Sequence, residues 1–132
     1  MVVVERDAWK NILSRSDGGV DFWHNSIVRI LLGATVFSVL GAFGLVAYFI
    51  RPSETPLVLH YNVYFGVDLL GVWWQLYALP LLGMLFFFLH TVVAKRFYEN
   101  TERIASYLML LSASMLTFGV LVASISMVFI NY

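Results

Sequence analysis

The sequence is poor in the residues from which most functional sites are built. It contains no cysteine, which excludes disulfides, thiolate catalysis and cysteine-based zinc sites together. Charged residues make up 12% of the chain, against about 25% in a typical soluble domain. The eight basic and eight acidic residues give a net charge of zero, which does not favour binding to nucleic acid.

Apolar residues take the place of the missing charge and account for 61% of the 132 residues. A chain of this length cannot bury so much apolar surface inside itself, so we expect a lipid bilayer to cover the remainder. Three runs contain no Asp, Glu, Lys or Arg, namely residues 30–50, 69–94 and 104–132. Each run is longer than the roughly 20 residues that cross a bilayer as a helix. In hydrocarbon a helix satisfies every backbone polar group, so these runs predict transmembrane helices.

The predicted fold class is therefore an all-α membrane protein with three transmembrane helices, which forms a single integral membrane domain over residues 1–132. The predicted helices cover about 26–50, 75–98 and 103–130, and a loop over about 51–74 joins the first two. The composition therefore favours a small integral membrane protein of this kind.

The N-terminal segment, residues 1–25, is predicted to be cytoplasmic and amphipathic. Trp9, Ile12 and Leu13 fall on one face of a helix, with charged residues around them. A short interfacial helix that lies in the headgroup layer fits this pattern. Packing of the same helix on its own cytoplasmic loop is the alternative interpretation.

The basic residues predict the orientation of the chain. Seven of the eight lie before the first span or between the second and third, and only Arg51 lies on the other side. Because basic residues collect on the cytoplasmic side of a membrane, the N-terminus is predicted to be cytoplasmic. The loop and the C-terminus are then external, and the cytoplasmic membrane of a bacterium or archaeon is the expected location.

Small residues recur at helical spacing in the first and third spans. The sets are Ala34, Ser38 and Ala42 in the first span, and Ser112, Gly119, Ala123 and Ser126 in the third. Such residues allow another helix to approach closely. The favoured interpretation is that they pack the first and third helices within one chain. Contact between copies in a homo-oligomer is the alternative.

The external loop alternates between apolar and mostly polar residues from Leu57 to Leu69, which is typical of an extended chain. A turn at residues 64–66 would fold it into a small hairpin. An isolated hairpin is marginal in water, so we expect it to rest on the outer helix ends. An extended loop places four candidate binding residues on one surface: His60, Asn62, Tyr64 and Asp68.

These four residues suggest binding more than catalysis. His60 and Asp68 are predicted to form a charge-assisted pair, and Asn62 to orient a ligand. Two such groups are too few for zinc, which takes three or four protein ligands, and no nucleophile lies nearby. We therefore predict no metal, cofactor or catalytic residue, and a chain that is not an enzyme. Hydrogen bonding that holds the loop and recognition of a ligand or protein both stay open.

The loop and its flanks resemble a known membrane element over roughly residues 30–95. Residues 55–62 read TPLVLHYN, residues 66–68 read GVD, and an aromatic segment then leads into LPLL at 79–82. This arrangement is similar to a domain of unknown function in small bacterial membrane proteins, including SdpI-type immunity proteins against secreted toxins. The resemblance implies that His60, Asn62 and Asp68 occupy the matching positions. The chain departs from the pattern at residues 63–65, which are apolar instead of polar turn residues.

These observations lead to two expected functions. The first is a non-enzymatic accessory, receptor or immunity-like protein whose external loop recognises another membrane or extracytoplasmic protein. The alternative is a homo-oligomeric pore or passive transporter subunit, because several copies could enclose a path that three helices cannot. No carboxylate lies within a span and no polar stripe runs along one, which favours the first function.

Overall fold

The computed structural model describes residues 19–132, so the predicted amphipathic helix around Trp9, Ile12 and Leu13 lies outside the described residues. The described part contains three helices and one two-stranded hairpin. In chain order these are α1 (Ser26–Phe49), β1 (Leu57–Asn62), β2 (Gly66–Gly71), α2 (Ala78–Glu99) and α3 (Arg103–Asn131). Short 3₁₀ turns at Phe22–His24 and Trp73–Tyr77 lead into α1 and α2.

All three helices are long and apolar enough to cross a membrane, which confirms the three predicted spans. Their outward surfaces carry large exposed apolar side chains along the whole length, including Phe37, Leu40, Phe118 and Phe129. Exposed apolar side chains in such numbers are typical of a surface that faces lipid. The predicted helix boundaries agree with the observed ones to within three residues.

The third helix, α3, is the centre of the bundle. It packs extensively against both α1 and α2, whereas α1 and α2 contact each other less. Its buried side chains recur every three or four residues, as expected for one face of a helix. They are Ser106, Leu110, Ala113, Thr117, Val120, Ser124 and Val128.

Two buried apolar clusters hold the two ends of the bundle. The first contains Phe22, Val28, Ala94, Tyr98 and Leu110. The second contains Val46, Ile50, Leu76 and Val128. Since each cluster joins the start of one helix to the end of the next, successive helices run in opposite directions. The hairpin lies at the end with the second cluster, which we call the hairpin end.

The buried face of α3 corrects part of the prediction about small residues. Ser38 and Ala42 of α1 are buried, as expected for packing within the chain. Ser112, Gly119 and Ser126 are exposed, however, Ala123 is only half-buried, and Ala34 is exposed on α1. Ser112, Gly119 and Ser126 are spaced seven residues apart, and each follows a buried residue by two positions; those buried residues are Leu110, Thr117 and Ser124. Two positions correspond to about 200° around a helix, so the predicted stripe faces away from the bundle.

Candidate functional site

The base of the hairpin rests on the helix bundle. Leu57 and Leu59 of β1 pack, together with Trp73 and Tyr77, against the buried cluster at the hairpin end. This contact supplies the apolar burial that an isolated two-stranded hairpin lacks. The expectation that the loop forms a hairpin on the helix ends is therefore confirmed.

The Asn131 side chain, at the end of α3, forms hydrogen bonds with the backbone of β1. The Asn131 side-chain oxygen accepts a hydrogen bond of 2.7 Å from the Val58 backbone N–H. Its amide nitrogen donates one of 2.8 Å to the Val58 carbonyl oxygen and another of 2.9 Å to the Met127 carbonyl oxygen. The Asn131 amide thus satisfies both backbone groups of Val58, as a neighbouring strand would.

The sequence reasoning missed Asn131. Its signal is one amide side chain at the end of a long apolar run, where a helix leaves carbonyl groups without intrahelical partners. That signal predicts a polar contact near the end of the helix, but it does not identify the strand that Asn131 binds.

Two irregularities interrupt the pairing of β1 with β2. Leu59 is an extra residue on β1, and Asp68 is an extra residue on β2, so the register is regained at the pair of Tyr61 with Val67. Such bulges break the strict alternation of side chains and re-aim them. The register of the flanking pairs places His60 opposite Asp68, and the two side chains stay in contact across the bulges, with 2.6 Å between His60 Nδ1 and Asp68 Oδ1. The predicted pair is therefore present.

The His60–Asp68 pair is partly exposed, with 59% and 42% of the respective side chains accessible. An exposed ion pair contributes at most about 1 kcal/mol to stability, so the pair does little to hold the hairpin together. Its contact uses one nitrogen and one oxygen, which leaves His60 Nε2 and Asp68 Oδ2 for a bound molecule. Among residues 19–132, no three His, Asp or Glu side chains come together as metal ligands would.

Asn62 has a structural role in the turn that the sequence analysis did not predict. Its side-chain oxygen accepts a hydrogen bond of 2.8 Å from the Tyr64 backbone N–H, which forms an Asx turn. Gly66 completes the turn with a φ of 76°, a conformation that glycine adopts without strain. The Asn62 side-chain oxygen is thus engaged in the turn.

The turn presents three consecutive apolar side chains, which we call the hairpin tip. Val63, Tyr64 and Phe65 are 84%, 90% and 84% exposed. His60 and Asp68 thus lie together on the strands. Tyr64 lies at the tip, and Asn62 stabilises the turn. The candidate site consists of the tip and the adjacent His60–Asp68 pair.

The opposite end of the bundle holds a second polar cluster whose groups bind one another. Asn25 donates hydrogen bonds of 3.2 and 2.9 Å to the hydroxyls of Tyr98 and Tyr107, and Tyr98 donates one of 2.6 Å to the Val20 carbonyl oxygen. The Asn25 side-chain oxygen also caps α1 by accepting from the backbone N–H groups of Ile27 and Val28. This cluster therefore holds the helices together.

Comparisons of the chain with protein-family models, with curated proteins and with solved structures find no match. A function for this chain is therefore inferred from the geometry of the hairpin.

Proposed function

We propose that this chain is a non-enzymatic integral membrane protein whose hairpin recognises another protein. The observation that supports this is the hairpin tip, an exposed apolar triplet on a base that Asn131 and the buried cluster hold in place. Exposed apolar patches that are bordered by polar groups mark interaction sites, and tyrosine is enriched among the residues that dominate binding energy. The neighbouring His60–Asp68 pair supplies the polar border and the directional hydrogen bonds.

The proposal places the hairpin outside the cell, in the cytoplasmic membrane of a bacterium or archaeon. Among residues 19–132, four basic residues lie toward the end of the bundle opposite the hairpin and one, Arg51, lies at the hairpin end; the four are Arg29, Lys95, Arg96 and Arg103. This asymmetry supports a cytoplasmic location for the end that carries Arg103. The partner is then a membrane or extracytoplasmic protein, and the resemblance to immunity proteins suggests a secreted toxin as one such partner.

The proposal is tested by chemical crosslinking of the full chain in its native membrane, followed by pull-down and identification of bound proteins by mass. Tyr64→Ser combined with Phe65→Ser removes the apolar contact, and His60→Ala combined with Asp68→Ala removes the polar one. Loss of a dominant interface residue costs about 2 kcal/mol or more, so each pair is expected to lower partner recovery about tenfold or more.

Tyr132→Ser is the matched control, because Tyr132 is an equally exposed aromatic residue that lies outside the hairpin. It is expected to leave partner recovery unchanged, and all variants are expected to insert normally. Recovery of the same partner by wild type and by both hairpin variants in equal amounts would rule out the hairpin as the recognition site.

A passive pore or transporter subunit built from several copies is the second candidate. The observation that favours it is the exposed stripe of Ser112, Gly119 and Ser126 on α3, which allows a helix of another copy to approach closely. Ion flux through purified protein in liposomes tests this candidate, with Gly119→Leu as the matched variant. Absence of flux from the wild type would exclude it.

A further inference from the structure

A groove runs between α1 and α2 on the outer surface of the bundle. Both helices pack extensively against α3 but contact each other less, which leaves a gap between their outward sides. The gap has a volume of about 170 Å³, and the described residues that line it are all apolar. They include Val36 and Leu40 of α1 and Met84 and Phe88 of α2. These four side chains are 39% to 65% exposed, so the groove opens toward the bilayer.

The groove leads to one basic residue on each helix, at the end of the bundle opposite the hairpin. Arg29 lies 11 residues before Leu40 on α1, and Lys95 lies 11 residues after Met84 on α2. Because 11 residues make close to three helical turns, each basic residue stands on the same side of its helix as the groove. The Lys95 ammonium lies 6.0 Å from the centre of the Trp23 ring, in the turn that leads into α1. The end of α2 is therefore close to the start of α1 here.

The spacing between the basic residues and the groove matches the depth of one bilayer leaflet. Eleven residues of helix rise about 16 Å, and half of the hydrocarbon core of a bilayer is about 15 Å thick. One turn from Arg29 toward the groove lies Gly33, where an added Cβ atom would meet no described atom within 4 Å, so the path is open. Trp23 is 51% exposed, and tryptophan is enriched at the level of the headgroups. Arg29 and Lys95 thus lie at headgroup depth, and the groove lies at the depth of the acyl chains.

Both basic groups are available to an anion. Among residues 19–132, no carboxylate lies within 4 Å of the Arg29 guanidinium. Lys95 lies 3.5 Å from Glu99, but this pair is exposed and therefore weak, so a phosphate oxygen can replace the carboxylate. The planar guanidinium of arginine also matches the geometry of a phosphate.

We propose that the groove between α1 and α2 binds one anionic phospholipid, with its phosphate at Arg29 and Lys95 and an acyl chain in the groove. Basic pockets between transmembrane helices bind headgroups of this kind. An anionic headgroup is favoured over a zwitterionic one, because the ammonium group of the latter would add a positive charge beside two others. The groove is remote from the hairpin, so this inference goes beyond the recognition function and does not depend on it.

The headgroup contact is tested with the full chain in nanodiscs that contain equal amounts of phosphatidylglycerol and phosphatidylcholine with the same acyl chains. Native mass spectrometry then counts the lipids that stay bound when the protein is released from the disc. We expect the wild type to retain one phosphatidylglycerol, about tenfold in preference to phosphatidylcholine. Each basic residue near an anionic surface contributes roughly fivefold to affinity, so Arg29→Gln combined with Lys95→Gln is expected to lower retained phosphatidylglycerol about tenfold or more.

The matched control is Arg51→Gln combined with Arg96→Gln, which removes the same charge. Arg51 lies at the hairpin end, and Arg96 is turned about 100° from Lys95 around α2. This control is expected to retain phosphatidylglycerol as the wild type does. Equal retention of the two lipids by the wild type, or equal loss in the two double variants, would overturn the proposal.

A second pair of variants tests the acyl-chain contact without changing charge. Val36→Phe places a larger side chain in the groove, where it competes with the acyl chain for space. Val122→Phe is the control, because Val122 is a similarly exposed valine on α3 and does not line the groove. In the same nanodiscs, Val36→Phe is expected to lower retained phosphatidylglycerol about fivefold, and Val122→Phe to leave it unchanged. Retention by Val36→Phe at the level of the wild type, or equal loss in both variants, would contradict an acyl chain in the groove.

Discussion

Asn131 shows how much a single residue contributes to the hairpin. Its side chain lies at the end of α3 and binds both backbone groups of Val58, so one amide connects the longest helix to the strand that carries His60. Asn25 has the corresponding position at the other end, where it caps α1 and binds Tyr98 and Tyr107. Two asparagines thus join elements that are distant in sequence, one at each end of the apolar helices.

Asn131→Ala is expected to weaken the base of the hairpin. The substitution leaves the Val58 N–H and carbonyl without their partner, and each part-buried group that loses a hydrogen bond costs about 1–3 kcal/mol. We expect a lower free energy of unfolding in detergent and faster hydrogen exchange at the Val58 amide. Tyr132→Ser, at the neighbouring exposed residue, is expected to change neither. Unchanged exchange at Val58 in Asn131→Ala would mean that the base of the hairpin is held by apolar packing alone.

At the scale of the element, the two faces of α3 have opposite tolerance for larger side chains. Ala113 lies in the buried face, whereas a Cβ atom added to Gly119 meets no described atom within 4 Å. The seven-residue spacing of Ser112, Gly119 and Ser126 is real, but it follows the outward face. The small residues that pack α3 into the bundle are instead those of its buried face, including Ser106, Ala113 and Ser124.

The corresponding prediction compares Ala113→Leu with Gly119→Leu. Adding three carbon atoms to a packed interface costs about 1–3 kcal/mol, so Ala113→Leu is expected to lower the unfolding midpoint in detergent. Gly119→Leu is expected to keep or raise the midpoint, because leucine favours a helix over glycine by up to about 1 kcal/mol. Equal destabilisation by both substitutions would contradict the assignment of the two faces. The stability of Gly119→Leu also qualifies it as the variant for the flux measurement.

The hairpin keeps its two polar side chains in contact across two bulges. Without the extra residues Leu59 and Asp68, the two strands would alternate regularly. The paired bulges leave the ends of the ladder in register and change only its middle. His60 and Asp68, which the register of the ladder ends places opposite each other, remain in contact on strands whose other exposed residues are largely apolar. This arrangement concentrates the polar recognition groups at one place beside the tip.

At the scale of the whole molecule, most basic residues of the described part lie at the end of the helix bundle opposite the hairpin. We call this end the basic end. The antiparallel helices bring the start of α1, the end of α2 and the start of α3 together, and basic residues are found in all three. Since the hairpin lies at the other end, it faces the side of the membrane opposite to the basic end. The proposed recognition function requires the hairpin to face the outside.

Sidedness is tested with two single-cysteine variants, because the chain has no cysteine of its own. Phe65→Cys places a thiol at the hairpin tip, and Asn100→Cys places one at the exposed connection between α2 and α3. A membrane-impermeant thiol reagent is expected to label Phe65→Cys in intact cells, and Asn100→Cys only after permeabilisation. The reverse pattern would place the hairpin in the cytoplasm, and labelling of both in intact cells would contradict an odd number of crossings between them.

The sequence by itself determined the three spans and their limits, because the cost of placing charge and unsatisfied backbone in lipid is local and accumulates along a run of residues. It also indicated the hairpin and the pairing of His60 with Asp68, since alternation and complementary charge lie within a short stretch. Only the tertiary structure decided which face of α3 is buried, because small residues occur on both faces and the choice depends on the helices that surround it. The same holds for the contact of Asn131 with Val58, which joins residues 73 positions apart.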